Sequence, residues 1–119
     1  MATRKQLEVT ELLRREISNI LLCEVRDPRV GFVTVTRVQV ARDQRSAKVY
    51  VTVRGSDEEV ATTMKTLEHA RGHVQKLVGD RVKLRFTPVL HFVEDKEMRE
   101  ALRVDRLIEQ VRKEQTEQP

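Results

Sequence analysis

Apolar residues recur at helical spacing in the first part of the chain. From Leu7 to Val25 they fall every three to four residues, with charged and polar residues between them. This pattern predicts an amphipathic helix of about five turns that packs one face against a core. Pro28 lacks an amide donor and biases Asp27 away from the helical conformation, so the helix should end before this pair.

Two segments with a period of two follow and predict an antiparallel hairpin. The first strand covers Phe32 to Val40, and its alternation slips near Thr36 and Arg37, which predicts a bulge. The turn at 41–45 leads into a second strand. Its inner and outer residues alternate strictly: Ala47, Val49, Val51 and Val53 should face in, and Lys48, Tyr50, Thr52 and Arg54 should face out.

The segment after the hairpin starts with a clear helix signal. Ser56 and Glu59 have the spacing of a capping box, which satisfies two N-terminal amides of a helix. Apolar positions at helical spacing lie on both sides of Gly72, where glycine permits a bend and costs about 1 kcal/mol relative to alanine. We therefore expect two helices that meet at an interhelical kink formed by Ala70, Arg71 and Gly72.

A third strand is predicted after a C-cap at Gly79 and Asp80. From Arg81 to Val93 apolar and polar residues alternate, and Pro88 suits an edge strand or a bulge better than a central position. Val82, Leu84 and Phe86 would then face in, and Lys83, Arg85 and Thr87 would face out. From Asp95 a weaker helical pattern predicts a C-terminal helix, and residues 114–119 a frayed tail.

The predicted order is α-β-β-α-α-β with an extra C-terminal helix. Helices on one face of a three-stranded mixed sheet give an α+β fold with the order of the type II KH fold. We expect residues 1–95 to form a KH-like domain, and residues 96–119 to form the C-terminal helix and a flexible tail.

Composition narrows the possible function. The 119 residues suffice for one domain, and the net charge of +4 with a pI near 9.6 favours an anionic partner. The basic excess lies in residues 1–57, which hold 11 Lys and Arg against 7 Asp and Glu. Cys23 is the single cysteine, and no apolar run approaches a membrane span of about 20 residues. We expect a soluble, cytoplasmic monomer without a disulfide.

Catalytic and metal-binding patterns are weak. His69 and His73 are four residues apart, but neither an H-E-x-x-H motif nor a cysteine partner accompanies them. The carboxylates at Asp27, Glu94 and Asp95 have the positions of turn and cap residues, and no glycine-rich loop could hold a phosphate. We therefore predict a protein that is not an enzyme and has no cofactor or metal site.

Several stretches together resemble the bacterial ribosome-binding factor A family. They are Glu24 to Gly31, Asp43 with Ala47 to Val51, the Ala70-Arg71-Gly72 kink, and Leu84 to Phe92. The resemblance implies a KH-like protein that binds the small ribosomal subunit and assists late maturation of its rRNA near the 5′ end. It also implies departure before translation, with a GTPase as a possible partner in release, and support of growth in the cold.

The resemblance also removes one familiar mode of RNA binding. In ordinary KH domains a G-x-x-G loop brings the backbone close to four nucleotides. Here Ala70, Arg71 and Gly72 stand at the joint, as in the family that the chain resembles. We therefore expect binding to depend on charged side chains around the kink and the sheet edge.

Two groups of basic residues are candidates for contacts with RNA phosphates. The first is a rim along the second half of the helix pair and the third strand: Arg71, Lys76, Arg81, Lys83 and Arg85. The second surrounds two turns: Arg42, Arg45 and Lys48 at the hairpin, and Arg26 and Arg29 beside Asp27-Pro28. The alternative is that these are ordinary solvated charges.

Aromatic stacking on RNA bases is not expected from the pattern. The chain has no Trp and one Tyr, and Phe86 and Phe92 both fall on the predicted inner face of the third strand. Tyr50 faces out and suits cross-strand packing. A different class of function also stays open, namely a protein-interaction module whose mixed-charge helices bind a protein partner and whose basic excess is incidental.

Overall fold

The structure, a computed structural model, describes residues 3–23, 25 and 33–117, the side chains of 104–106 and 115–117 apart. Its elements in chain order are α1 (Arg4–Cys23), β1 (Val33–Val40), β2 (Ser46–Val53), α2 (Asp57–Arg81), β3 (Val89–Glu94) and α3 (Lys96–Glu117). The predicted turn at Asp27-Pro28, with Arg26 and Arg29, lies outside the described residues.

The three strands form a mixed sheet in the order β1-β2-β3. β1 and β2 are antiparallel, and β2 and β3 are parallel. The register shifts between Val35 and Arg37, so the predicted bulge is confirmed and Thr36 is the extra residue. The α+β class and the mixed three-stranded sheet are both as predicted.

The core lies between the sheet and the two helices α1 and α2. α1 packs on β1, α2 packs on β3, and the two helices contact each other. The fully buried residues come from every layer, and each contributes roughly 1.5–3 kcal/mol by burial: Leu13, Ile17 and Ile20 in α1, Val49 and Val51 in β2, Leu67, Val74 and Val78 in α2, and Leu90 in β3.

α2 is one uninterrupted helix of 25 residues, so the prediction of two helices with a joint at Ala70, Arg71 and Gly72 is wrong. The buried positions Leu67, Val74 and Val78 are spaced by 7 and 4 residues and therefore lie on one stripe of a continuous helix. Burying them outweighs the cost of about 1 kcal/mol for a helical glycine.

The sequence predicted the start of α2 correctly, but not its end. The capping box of Ser56 and Glu59 is confirmed, since each side chain accepts a backbone N–H of the other residue. The predicted C-cap at Gly79-Asp80 is wrong, because the helix continues to Arg81 and the Val82 N–H donates to the Val78 carbonyl at 2.8 Å.

β3 begins at Val89 rather than at Arg81, so the predicted strand starts eight residues too early. The reason lies in its partner: β2 starts at Ser46, and the parallel register pairs Ser46 with Val89. Residues 82–88 have no strand beside them and form an irregular loop, called here the 82–88 loop. Pro88 is fully buried at its end, and β3 is an edge strand as expected.

α3 is fastened to the domain at its first turn. The Asp95 carboxylate caps the helix by accepting the Met98 N–H at 3.1 Å, and it also accepts the Thr36 hydroxyl at 2.7 Å. Arg99 forms ion pairs with Glu94, at 2.9 Å, and with Asp57 at the start of α2. The helix continues to 117, so the predicted frayed tail from 114 is helical up to that point.

Candidate nucleic-acid interface

Cationic side chains from three separate segments meet in one cleft, called here the cationic cleft. It has a volume of about 960 Å³ and lies between the start of α1, the hairpin turn 41–45 and the 82–88 loop. Of the residues that the structure describes, four cationic ones line it: Lys5, Arg42, Lys83 and Arg85. Among the described residues that line the cleft there is no carboxylate, although the chain as a whole holds 19 acidic residues.

Apolar residues that adjoin the core also line the cationic cleft. They include Val9, Leu13, Val40, Leu84 and Pro88. Leu13 and Pro88 are fully buried, and the other three are partly buried against the core. A ligand here would therefore meet exposed cationic side chains together with partly buried apolar ones.

The hairpin turn that carries Arg42 is held in a defined shape. The Ala41 N–H donates to the Ser46 carbonyl, and the Gln44 N–H donates to the Ala41 carbonyl, both at 2.9 Å. Gln44 takes the left-handed conformation, with φ of 60°. Asp43 lies in the same turn, but its carboxylate accepts the Arg45 N–H at 3.0 Å and does not line the cleft.

Backbone and side-chain hydrogen bonds attach the 82–88 loop to the turn and to α2. The Val89 N–H donates to the Arg45 carbonyl at 2.8 Å, which places the end of the loop beside the hairpin turn. The Gln75 amide of α2 donates to the Pro88 carbonyl at 2.6 Å and accepts the Leu90 N–H at 2.8 Å. Sequence reasoning missed Gln75, because nothing in the local pattern distinguishes it from an exposed helical glutamine.

The structure brings together only part of the predicted rim. Lys83 and Arg85 line the cationic cleft, where they are joined by Arg42 from the second predicted group. Arg71 and Lys76 lie farther back along α2 and do not line it. Arg71 and Arg81 are ten residues apart on one helix, or about 15 Å, so no short rim connects them.

The other predicted basic residues have separate positions. Arg71 forms an ion pair with Glu68 at 3.2 Å, and Lys76 and Arg81 are exposed on α2. Arg45 is exposed in the hairpin turn. Lys48 lies on the open face of the sheet, opposite His91 of β3, outside the cleft.

The two aromatic residues predicted to face inward behave differently. Phe92 of β3 packs against the core, as expected. Phe86 is 65% exposed in the 82–88 loop and lines the cleft, so its predicted inward position is wrong. The Arg85 guanidinium lies 5.6 Å from the centroid of its ring. The prediction failed because it assumed a strand at residues 81–88.

Tyr50 is occupied by neighbours on the open face of the sheet. The guanidinium of Arg37 lies over its ring, 4.0 Å from the centroid, and its hydroxyl donates to Gln39 at 3.3 Å. Arg37 is its direct partner on β1, so Tyr50 has the expected cross-strand role.

The described part of the chain shows neither a metal-binding cluster nor a membrane-spanning helix. No group of three or more His, Cys, Asp or Glu side chains lies close enough to bind a metal ion there. Within the same residues, no helix combines the length and the apolar character needed to cross a bilayer.

Comparison with known proteins identifies close relatives. The sequence profile of ribosome-binding factor A matches residues 5–108. The ribosome-binding factor A of Halothermothrix orenii is 43% identical over 115 residues, which are 97% of this chain and 94% of the relative. That of Chloroflexus aggregans is 38% identical over 120 residues, 100% of this chain and 94% of the relative.

Solved structures show the same similarity. The solution NMR structure of a candidate ribosome binding factor A from Thermotoga maritima is 29% identical, with a TM-score of 0.69 over 80% of this chain and 91% of that one. A homology model of the Thermus thermophilus factor, fitted into a cryo-EM map of a 30S–RbfA complex, is 25% identical, with a TM-score of 0.59 over 71% and 88% of the two chains. The chain belongs to the ribosome-binding factor A family.

Proposed function

We propose that this protein is a ribosome assembly factor that binds the small ribosomal subunit, with its cationic cleft on the rRNA backbone. One observation carries the proposal: four cations from three segments line a cleft in which the described residues supply no carboxylate. The similarity to the Thermus thermophilus factor, which was fitted into a 30S complex, supports the choice of the small subunit.

The chemistry of the site suits a phosphate backbone. Lysine and arginine side chains neutralise phosphates and release bound counterions, which provides affinity that depends little on base sequence. Lys5, Arg42, Lys83 and Arg85 are all exposed. They can therefore approach phosphates without first breaking a packed contact in the core.

The detailed role in rRNA maturation is proposed from the family resemblance and not from the geometry of the cationic cleft. In this proposal the factor assists late maturation of the small-subunit rRNA near its 5′ end, leaves before translation, and supports growth in the cold. It acts in the cytoplasm without catalysis, and a GTPase could take part in its release. The division into an RNA-binding part at 1–95 and a separate C-terminal part at 96–119 stays a prediction.

Sedimentation with purified ribosomal particles tests the proposal directly. The protein should sediment with small subunits and less with whole ribosomes, and moderate salt should release it. Reversing charge in the cleft with Lys83→Glu and Arg85→Glu should weaken this association. The matched control is the double reversal Lys65→Glu and Lys96→Glu, at exposed lysines outside the cleft.

Two sedimentation results would contradict the proposal, in whole or in part. If wild-type protein does not sediment with small subunits, the assignment fails. If it does and both double variants behave alike, the cleft is not the rRNA contact. Partners from a lysate that remain bound after nuclease treatment would favour the protein-interaction alternative.

Maturation is tested in cells that lack the protein. Such cells should accumulate small-subunit rRNA with an immature 5′ end, most strongly in the cold, and wild-type protein should restore processing. The Lys83→Glu, Arg85→Glu variant should not restore it at equal protein level. Normal 5′ ends in the deleted strain would contradict the maturation role.

A further inference from the structure

Phe86 is an exposed aromatic ring at the edge of the cationic cleft. Its side chain is 65% exposed, and it lines the cleft together with the neighbouring Arg85. The other described aromatic residues are engaged elsewhere, since Phe92 packs on the core and the ring of Tyr50 is covered by Arg37. The Arg85 guanidinium lies over one face of the Phe86 ring, 5.6 Å from its centroid, so a flat ligand would stack on the opposite face, next to positive charge.

The loop that carries Phe86 is fixed at both ends. Val82 is buried and its N–H is bonded to the end of α2, and Leu84 packs against the core. At the other end Pro88 is buried, and its carbonyl accepts the Gln75 amide. The ring is thus presented to solvent by an anchored backbone, which lowers the entropy cost of stacking a ligand on it.

An exposed aromatic ring next to several cationic side chains favours one kind of ligand. Repeated negative charge and an accessible flat ring occur together in a nucleic-acid strand whose bases are unpaired, whereas a duplex keeps its bases inside the helix. The cleft volume of about 960 Å³ lies near the upper end of the range of about 300–1,000 Å³ for ligand clefts. It is roomy enough for a base with its flanking phosphates.

We propose that the cationic cleft binds a single-stranded segment of RNA, with one base stacked on Phe86 and the flanking phosphates bound by Lys83, Arg85 and Arg42. This inference rests on the proposed function and specifies how that site binds its RNA. It places the contact at the end of α2 and the hairpin turn, more than two helical turns from Gly72.

Tryptophan fluorescence tests the stacking, because the chain has no natural Trp. In Phe86→Trp the new indole would lie in the cleft. In the control Leu107→Trp it would lie on α3, at a residue that is 57% exposed and does not line the cleft. The probe is an unlabelled, unpaired oligoadenylate of about ten nucleotides, within the range of known single-strand sites.

Saturating oligoadenylate should strongly quench the Phe86→Trp emission and leave the Leu107→Trp emission nearly unchanged. Binding to each variant is verified separately by the anisotropy of a labelled oligonucleotide. Binding without selective quenching of Phe86→Trp would overturn the stacking.

Affinity provides a second readout. Phe86→Leu should weaken binding of the single strand by about 5-fold or more, the range for loss of one base–aromatic stack, while Phe86→Tyr should stay close to wild type. Binding of a hairpin duplex should change little in either variant. Equal losses for duplex and single strand, or no loss, would overturn the inference.

The failure of this inference can be distinguished from failure of the proposed function. If the protein sediments with small subunits but oligoadenylate does not quench Phe86→Trp, only the stacking is refuted. If it does not sediment with them, the proposed function itself is refuted.

Discussion

The cationic cleft predicts a specific salt dependence of RNA binding. Each phosphate that a protein neutralises on a single strand contributes about −0.7 to the slope of log K against log salt concentration. Four cationic side chains line the cleft, namely Lys5, Arg42, Lys83 and Arg85. If each contacts one phosphate, the slope should be about −2.8.

Neutralising two of these residues gives a definite magnitude. The double variant Lys83→Gln, Arg85→Gln should reduce the slope to about −1.4. The lost contacts should lower affinity by about 25-fold at 0.1 M salt, and the difference should disappear near 1 M, where the electrostatic contribution vanishes. Both side chains are exposed, so the substitutions should leave the fold intact.

Fluorescence anisotropy with a labelled oligonucleotide measures this dependence between about 0.05 and 0.3 M KCl. The matched control is Lys65→Gln, Lys96→Gln, which removes the same charge at exposed positions outside the cleft. The control should keep the wild-type slope. If the slope falls as much in the control as in the cleft variant, net charge and not the cleft determines binding. An unchanged slope in the cleft variant would refute the phosphate contacts.

Three further predictions concern stability, each measured by urea unfolding. Gly72→Ala should raise the free energy of unfolding by roughly 0.5–1 kcal/mol, because an added Cβ meets nothing within 4 Å in a continuous helix. A lower free energy of unfolding in this variant would argue against regular helix at residue 72. Gln75→Ala should lower the free energy of unfolding by about 1–3 kcal/mol by leaving the Pro88 carbonyl and the Leu90 N–H, both in buried residues, unpaired. Gln110→Ala, exposed on α3, should change it by less than about 0.5 kcal/mol. Hydrogen bonds, first from the Thr36 hydroxyl and then from the Met98 N–H, lower the pKa of Asp95. The stabilising effect of the Asp95 carboxylate is therefore present above the ordinary carboxyl pKa of about 4 and is lost as pH falls through the depressed value. Asp95→Asn should flatten that part of the profile of stability against pH, and an unchanged profile would refute the assignment.

The parts of the fold that the sequence predicted correctly depend on local rules. The Ser56–Glu59 box requires only a spacing of three residues, and the alternation of Ala47 to Val53 requires only a period of two. The bulge at Thr36 appeared as a phase slip within a single strand. Each of these signals lies within a few residues of the feature that it predicts.

The errors concern features that distant residues determine. Glycine propensity at Gly72 favoured a break, but burial of residues on both sides of it favours one helix. The start of β3 depends on the position of Ser46 at the beginning of β2, and on the Gln75 amide of α2. No window that covers only 81–93 contains either fact.

The candidate site depends even more on residues that are distant from one another in the sequence. Lys5, Arg42 and Lys83 come from three segments that are far apart in sequence, and only the folded chain brings them to one cleft. Charge counting correctly placed the basic excess in the N-terminal half. It could not show that Arg42 and Lys83 line the same cleft, or that Arg71 lies elsewhere along α2.

The position of Phe86 links the fold errors to the function. On a strand that began at Arg81, its ring would have been buried with Val82 and Leu84. Because α2 continues to Arg81 and β3 starts at Val89, the loop between them keeps Val82 buried and Leu84 half-buried, and exposes Phe86. An exposed ring forgoes the roughly 1.5–3 kcal/mol that burial of phenylalanine provides. The Arg85 guanidinium, 5.6 Å from the ring centroid, returns only about 0.5–1 kcal/mol at an exposed site. Stability of the free protein therefore gives little reason for an aromatic residue at this position, whereas a base stacked beside bound phosphates gives one.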